Sequence, residues 1–520
     1  MRTLLMSGLL FSCATAPVVR SEPTSPPKET VEAPATVAPV RPLPTLAPMK
    51  LVVLPTPGTP IVSVRLVFHV GSVDDPRGKE GLTALTTKLL TEGGTKSLSS
   101  AELNEALFPM AAELESDTDK EFTVIAGRVH QERFERFLSI FTETLLAPRL
   151  DPKEFDRLKT EQLNVIRNRL RSENDEELGK VMLDALLFEG HPYRHATVGT
   201  ESGLAAITLE DVAAQWKRCF TKARLVVGVA GAANDALGAQ VVAALETLPA
   251  TGAAPTPIPS PAGVTNQTLI VRRDTQSTAG SFGSAWPIRR DDPDFALLLL
   301  GLSYLGEHRQ EHGVLFRELR DRRGLNYGTY AYAEHYRQDG WTSIPRPNIA
   351  RTTQDLTLWL RPVESQHGVF ATRGVLFFLD QTLHAPLPAE RFETAKGFLT
   401  GATRIWTLTD QRRLGWAIDE LLYGTPEFLD RVRATIATAT AEMVQRSLQK
   451  HLDPKALNFV FVTKDTAALR TGLLSAAPSP ITYATPKPPE VLEQDKAIER
   501  HPLPMVSDRV RVIDAAEVMK

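Results

Sequence analysis

The chain has 520 residues, of which 42% are hydrophobic and 23% are charged. These values are ordinary for a soluble globular protein of about two to four domains. The formal net charge is −3 and the sequence contains no basic run, which argues against a nucleic-acid-binding protein. No apolar stretch reaches the roughly twenty residues that a membrane-spanning helix needs, so none is predicted.

The N-terminus is typical of an export signal. Arg2 precedes the short apolar stretch Leu4–Phe11, which is too short to span a bilayer. Cys13 follows it in a pattern that resembles the lipobox of bacterial lipoproteins, and we expect this cysteine to be lipidated. The alternative is an ordinary cleavage site with a chance cysteine. The predicted location is therefore the periplasmic side of the bacterial envelope, with a lipid anchor in the outer membrane.

Strands and helices arrive in runs from residue 49 onward. In the first half, alternating or continuous apolar residues predict strands at 51–54, 61–70, 122–129 and 225–230. Helical periodicity predicts helices at 81–90, 100–115, 131–147, 151–190 and 208–219. A Pro-Thr-Pro-Gly turn is predicted to join the first two strands.

A proline-alanine stretch at 249–263 separates two copies of the same order of landmarks. Asp291-Asp292-Pro293 repeats Asp74-Asp75-Pro76, and Ile418–Gly424 repeats Leu183–Gly190. Matched landmarks in one order predict an internal duplication. Because strands and helices do not alternate strictly, each copy is predicted to be α+β with a mainly antiparallel sheet.

These landmarks give a predicted domain organisation for the whole chain. The predicted parts are a lipoprotein-type signal peptide (1–13), a disordered tether (14–47), an N-terminal domain (48–248), a linker (249–265), a C-terminal domain (266–470) and a C-terminal tail packing on the body (471–520).

Leu315–Gly328, reading LFRELRDRRGLNYG, is the most informative stretch of the second copy. It predicts a short helix that Gly324 ends, followed by the start of a strand. This arrangement brings Arg320 and Tyr327 to one corner, where a guanidinium and a phenol can bind a peptide carbonyl or an oxyanion. The alternative is a surface helix with solvated arginines and a tyrosine half-buried in the sheet.

The duplicated halves and Leu315–Gly328 resemble the M16 peptidases, the family of pitrilysin, insulinase and the mitochondrial processing peptidases. His191-Pro192-Tyr193 also resembles a recurrent segment of their first domain, and the resemblance covers nearly everything from residue 49 to 520. It implies two homologous α+β domains that close like a clam around a peptide chamber. It also implies that Arg320 and Tyr327 contact the substrate near the scissile bond.

The chain departs from this family at the zinc motif. Active members carry His-x-x-Glu-His on a first-domain helix, where two histidines bind zinc and the glutamate acts as general base. Ala84, Thr87 and Lys88 stand at the first histidine, the glutamate and the second histidine. None of the three can do that work, and Glu161, near the position of the third ligand, is no site by itself.

A second His-x-x-Glu-His match occurs in the other half, at His308, Glu311 and His312. On a continuous helix both imidazoles would share one face, and Glu390 or Glu393 follows at a plausible distance for a third ligand. Gly306 and Gly313 flank the motif, which indicates a turn rather than a helix. The motif is also in the wrong domain for the family.

The leading hypothesis is a non-catalytic, substrate-binding subunit of a heteromeric zinc endopeptidase that supplies Arg320 and Tyr327. The expected partner is a homologous M16 subunit with an intact motif, and zinc is expected in that partner rather than in this chain. The expected substrate is a peptide or an unfolded protein, and the only expected membrane contact is the lipid anchor. The alternatives are a self-sufficient zinc peptidase using His308, Glu311 and His312, or a scaffold without catalysis.

Overall fold

The computed structural model describes residues 41–44, 46, 48–338 and 342–520. The predicted signal peptide, nearly all of the predicted tether and Cys13 lie outside these residues. In this described part of the chain, no helix is both long enough and apolar enough to cross a membrane.

Five strands of the first half form one sheet. They are β1 Lys50–Pro55, β2 Ile61–Phe68, β3 Glu113–Thr118, β4 Thr123–His130 and β5 Leu225–Gly231. Their order is β1-β5-β2-β4-β3, with β1 and β5 parallel and every other neighbouring pair antiparallel. The helices are α1 Leu82–Glu92, α2 Ser100–Leu107, α3 Phe134–Leu146, α4 Pro152–Asn164, α5 Asp175–Leu187, α6 Glu201–Ala206, α7 Leu209–Cys219 and α8 Asp235–Ala244, with a π-helical segment, Val165–Glu173, between α4 and α5.

Six strands of the second half form the other sheet. They are β6 Thr268–Arg272, β7 Ser277–Trp286, β8 Thr329–Tyr332, β9 Gln354–Glu364, β10 Asn458–Thr463 and β11 Val510–Asp514, in the order β11-β6-β10-β7-β9-β8. The helices are α9 Phe295–Gly306, α10 Gly368–His384, α11 Ala389–Ile405, α12 Asp410–Tyr423, α13 Phe428–Thr438, α14 Ala441–His451, α15 Thr466–Leu474 and α16 Pro489–Ile498, with a π-helical segment, Phe316–Asp321, after α9.

The two sheets share one topology, as the duplicated landmarks predicted. The order β6-β10-β7-β9-β8 repeats β1-β5-β2-β4-β3, and its first pair is again parallel while the rest are antiparallel. Strand β11 of the C-terminal tail is added at the edge, parallel to β6. The predicted α+β class with two mainly antiparallel sheets is confirmed.

Several local predictions are confirmed in detail. The helix predicted at 208–219 is α7, and it begins with a capping box in which Thr208 and Asp211 exchange hydrogen bonds with each other's backbone amides. Helix α2 begins in the same way with Ser99 and Glu102. Strands β2 and β5 are almost entirely buried because they occupy the middle of the first sheet.

One local prediction is wrong. The predicted helix at 100–115 ends near Leu107, and Glu113–Thr118 forms edge strand β3, because pairing with β4 overrides the weak strand preference of its acidic residues. The predicted Pro-Thr-Pro-Gly turn does connect β1 to β2. The two strands are not neighbours in the sheet, however, because β5 lies between them and pairs with both.

Each sheet is covered by a helix from the other half of the chain. Leu178, Leu183 and Leu187 of α5 are buried against Val271 and Val460 of the second sheet. The helix approaches closely at Gly179, where an added Cβ would lie 2.9 Å from the Ser281 hydroxyl.

Helix α12 makes the reciprocal contact with the first sheet. Leu414 and Ile418 are fully buried against Val67 and Val226. Gly228 of β5 makes room for them, since a Cβ there would lie 2.9 Å from both side chains. The two helices that exchange sheets carry the repeated motifs Leu183–Gly190 and Ile418–Gly424.

We predict that Ile418→Ala lowers the free energy of unfolding by about 2–5 kcal/mol, because it opens a cavity between α12 and the first sheet. Leu421→Ala on the same helix is the matched control, since Leu421 is 39% exposed and should change stability far less. Chemical denaturation of both variants measures the difference. Equal losses would contradict the role of α12 in covering this sheet.

Candidate functional site

Helix α1 carries the residues at which the sequence resemblance places the zinc motif. Ala84 and Lys88 are half-buried, and Thr87 is buried. The Thr87 hydroxyl donates to the Thr83 carbonyl at 2.9 Å and accepts from the Thr118 hydroxyl at 3.1 Å. A methyl group, an engaged hydroxyl and an ammonium do not form a zinc site, so these residues do not fit the metal of the family.

The neighbouring helix α4 also offers no catalytic acid to this place. Glu161 is exposed and pairs with Arg157 at 2.6 Å. The next residue, Gln162, is buried, and its amide donates to the carbonyls of Gly81 at 3.0 Å and Val198 at 2.8 Å. The side chain of α4 that reaches the interior is therefore Gln162, and it anchors the start of α1.

The second His-x-x-Glu-His match lies in turns after α9, not on a helix. His308 is only 4% exposed, and its Nδ1 lies 2.6 Å from the Tyr332 hydroxyl. Burial, with the charge of Arg309 beside it, lowers the pKa of His308 to about 4, so the imidazole is neutral at physiological pH.

His312 faces different neighbours from His308. Its Nε2 lies 3.5 Å from the Ser303 hydroxyl, and its ring packs 4.6 Å from that of Phe398. Glu311 is exposed. In the part of the chain that the structure describes, two groups of three His, Cys, Asp or Glu donors lie within 4.8 Å, and neither includes His308 or His312.

The corner that carries Arg320 is held from beneath by buried charges. Glu318 is 3% exposed and accepts from Arg322 and Arg323 at 3.2 and 3.3 Å. The fully buried Arg323 also donates to Asp495 of α16 at 2.8 Å. The C-terminal tail thus fixes the π-helical segment through an ion pair that water does not reach.

The turn that carries Tyr327 is fixed by Asn326. The Asn326 Oδ1 accepts from the Gly328 amide at 3.0 Å, and its Nδ2 donates to the Thr329 hydroxyl and to the Arg361 carbonyl, both at 3.1 Å. Gly328 has a φ of +150°, and a Cβ there would collide with the Tyr330 ring. These contacts leave the Tyr327 side chain pointing away from the core.

Arg320 and Tyr327 are brought to one surface, as the sequence indicated. Both line an open groove of about 640 Å³ at this corner. Tyr327 is 78% exposed, and the Arg320 side chain is 40% exposed. The Arg320 guanidinium rests over the Phe316 ring at 4.6 Å and pairs with its neighbour Asp321 at 2.8 Å. Both polar groups are thus accessible to a ligand.

A separate cavity of about 710 Å³ lies where α5 faces the second sheet, and we call it the junction cavity. Both halves of the chain contribute to its wall. Its polar lining includes Lys120, Lys180, Asp184, His335, Asp355 and Arg361.

A buried ion network joins the two halves beside this cavity. The guanidinium of Arg351, 1% exposed, donates twice to Asp119 at 3.1 Å and once to Asp355 at 3.3 Å. Burial is the largest single influence and raises the pKa of Asp119, but the charge and hydrogen bonds of Arg351, together with the charges of His335 and Arg337, outweigh it and hold that pKa well below its ordinary value. Asp119 is therefore ionised in the folded protein at neutral pH.

Glu121 extends the network. It is buried and accepts hydrogen bonds from the Tyr193 hydroxyl and from the backbone amide and hydroxyl of Thr352, the last at 2.8 Å. Tyr193 and Glu121 belong to the first half and Thr352 to the second. Of these residues only Tyr193 belongs to a segment that the sequence singled out. The others could not be predicted, because Asp119-Lys120-Glu121 has the composition of a solvated loop. The charged triplet directly before an apolar strand was the available signal.

Two sheets of one topology, each covered by a helix of the other half, define a duplicated α+β fold. Residues 50–201 match the family model of insulinase, peptidase family M16, and residues 206–345 match the model of the peptidase M16 inactive domain. The chain therefore belongs to peptidase family M16.

Individual relatives agree with this assignment. The chain is 22% identical to the non-peptidase homolog YmxG of Helicobacter pylori, over 78% of this chain and 89% of the relative. It is 23% identical to the uncharacterized zinc protease SCO5738 of Streptomyces coelicolor, over 77% and 85%. The crystal structure of a peptidase M16 inactive domain from Pseudomonas fluorescens superposes with a TM-score of 0.69 at 22% identity, covering 82% of this chain and 98% of that one.

We predict that Asp119→Ala destabilises the protein by about 3–5 kcal/mol, because it leaves the buried Arg351 charge undercompensated. The native pKa of Asp119 lies below the ordinary 3.8, so its contribution is present above that pH and is lost as the pH falls through the native pKa. Denaturation curves of wild type and variant between pH 7 and pH 2 should therefore converge on the acid side.

The matched control for this experiment is Glu115→Ala, which removes an exposed carboxylate of strand β3. Its stability and pH dependence should follow the wild type. A loss equal to that of Asp119→Ala would show that the effect is general to acidic residues of this segment.

Proposed function

We propose that this chain is a non-catalytic M16 subunit that supplies Arg320 and Tyr327 to a peptidase site whose zinc belongs to a homologous partner chain. The observation that carries the proposal is a contrast between two places in the molecule. The zinc-helix positions hold Ala84, Thr87 and Lys88, whereas the substrate-contact positions hold an accessible arginine and tyrosine.

The surroundings of the pair support a role in binding. Glu318, Arg323 and Asp495 fix the supporting helix, and Asn326 fixes the turn, yet the side chains that they present are exposed. Rigid support beneath accessible donors is the arrangement that preorganised binding requires. Because Tyr327 is 78% exposed, its phenol contributes little to the packing of the fold.

The chemistry of the pair fits a peptide bond under attack. A guanidinium and a phenolic hydroxyl donate hydrogen bonds, and donors placed at a developing oxyanion lower the barrier to acyl transfer. The nucleophilic water and the general base would come from the partner's zinc motif. In this division of work, Arg320 and Tyr327 orient the substrate carbonyl and stabilise its negative charge.

We predict that Arg320→Ala lowers kcat/KM of the reconstituted complex by about 10²–10³, the loss typical of one oxyanion donor. Arg320→Lys should not restore it, because an ammonium lacks the planar fork of the guanidinium. The measurement is cleavage of a quenched peptide library by a partner that carries an intact zinc motif, with and without this chain.

Arg317→Ala is the matched control, since Arg317 lies on the same helix and its side chain is 38% exposed. It should retain full stimulation, and all three variants should keep the wild-type melting temperature. Stimulation by Arg320→Ala equal to wild type would remove the proposed role. A complex that forms but never cleaves would favour the scaffold function.

We also propose that the protein is exported and anchored to the outer membrane through Cys13. Support comes from the sequence alone, namely the apolar stretch Leu4–Phe11 directly before the cysteine. We predict that the full chain partitions into detergent and incorporates labelled fatty acid, and that Cys13→Ser loses both. Labelling that persists in the variant would contradict the anchor.

A further inference from the structure

The junction cavity is bounded by two facing rows of side chains. Helix α5 contributes Glu176, Lys180 and Asp184, which follow one another at intervals of four residues and so share one face. Strand β9 contributes alternate residues of one face, which also line the cavity. These strand residues are Asp355, Thr357, Trp359 and Arg361.

Two levels of this contact are electrostatically matched. Glu176 pairs with Arg361 at 2.9 Å. One turn along the helix, the Lys180 ammonium lies 3.4 Å from the centroid of the Trp359 ring, a favourable cation–π contact. Helix and strand thus present complementary groups to each other at these levels.

The next level brings together groups of like charge. Asp184 of the helix meets Asp355 of the strand, and His335 lies beside them with its Nδ1 3.6 Å from Asp355 Oδ1. One donor atom from each of the three residues lies within 4.8 Å of the others. Two carboxylates and an imidazole are a donor set for a divalent transition-metal ion.

The carboxylates at this level are only partly neutralised by the cationic side chains around them. Lys120 lies 3.8 Å from Asp184, and its ammonium also donates to the carbonyls of Tyr193 and His195 at 2.7 Å. Arg351 is shared between Asp355 and Asp119. Lys120 and Arg351 thus lie beside the carboxylates of Asp184, Asp355 and Asp119, and Arg337, which pairs with Asp117, lies near Asp119 as well.

An orphaned polar atom on the same wall points independently to a ligand. Thr357 is 4% exposed, and its hydroxyl has no hydrogen-bond partner in the described protein. It follows Asp355 on the same face of β9 and lines the same cavity. A buried hydroxyl without a partner destabilises the fold, and a bound ion or its water would supply the missing hydrogen bond.

The second donor group of the described residues lacks these features. It consists of Asp292, Asp294 and His451, all half-buried. Asp294 already accepts hydrogen bonds from Lys450 and His451, both at 2.7 Å. Because Asp294 is already paired with these two side chains, the second group serves as a comparison for the first.

We infer that Asp184, His335 and Asp355 bind one divalent transition-metal ion, of the zinc or manganese type, which ties α5 to the second sheet. The site is separate from the zinc position of the family on α1. Because Asp184 belongs to the first half of the chain and the other two ligands to the second, the ion is a structural clamp between the halves. All three ligands belong to this chain, so the site needs no partner chain.

The test uses the full chain, freed of metal by a chelator and titrated with ZnCl₂ or MnCl₂ in a calorimeter. One ion should bind per chain and raise the melting temperature. His335→Ala and Asp184→Asn should each weaken binding at least tenfold and abolish the thermal shift. His335→Cys should retain Zn²⁺ but lose Mn²⁺, since a thiolate prefers the softer ion.

Two controls locate the site. His451→Ala and His308→Ala should both bind the ion as the wild type does, because the first residue belongs to the second donor group and the second to the turn after α9. Binding lost only in His308→Ala would overturn the inference in favour of the second His-x-x-Glu-His match. Absence of binding to the wild type would also overturn it, leaving Asp184 and Asp355 to share a proton.

Discussion

Neither sheet of this protein is covered by its own half of the chain alone. The second sheet needs α5 of the first half, which buries Leu183 and Leu187 against it, and the first sheet needs α12, which buries Leu414 and Ile418. Because the exchange is reciprocal, the halves cannot separate without exposing both apolar faces to water. The remaining features of the molecule, including the cavity, the buried ions and the presented corner, depend on this arrangement.

The exchange explains why so many charges are buried where the halves meet. Packing the halves this closely also buries the connecting segments beside the exchanged helices, and polar groups there that cannot reach water must find partners. Arg351 with Asp119, and Glu121 with Tyr193 and Thr352, meet this requirement across the junction. Such pairs add little net stability over apolar packing, but removing one partner is costly, so they fix one relative position of the halves.

The duplication, the fold class and the corner of Arg320 and Tyr327 could be predicted from the sequence, because each depends on a local pattern of residues. The exchange of helices could not be predicted, because periodicity shows that a helix face is apolar but not which sheet it covers. This holds even though both helices carry the repeated motifs around Leu183 and Ile418. Strand β3 was missed because its acidic residues favour a strand only once β4 is beside them. Asp119, Asp184 and Asp355 lie far apart in the chain, and only the tertiary contact makes them neighbours.

The loss of the zinc ligands leaves the rest of the architecture in place, and this has a physical reason. Thr87, which stands at the glutamate of the family motif, forms hydrogen bonds to Thr83 and Thr118, and these hold α1 in its packing. The corner of Arg320 and Tyr327 is fixed by separate contacts, through Asn326 on one side and Asp495 on the other. The contacts around Thr87 and those around the corner of Arg320 and Tyr327 share no residue, so a substitution at one place need not disturb the other.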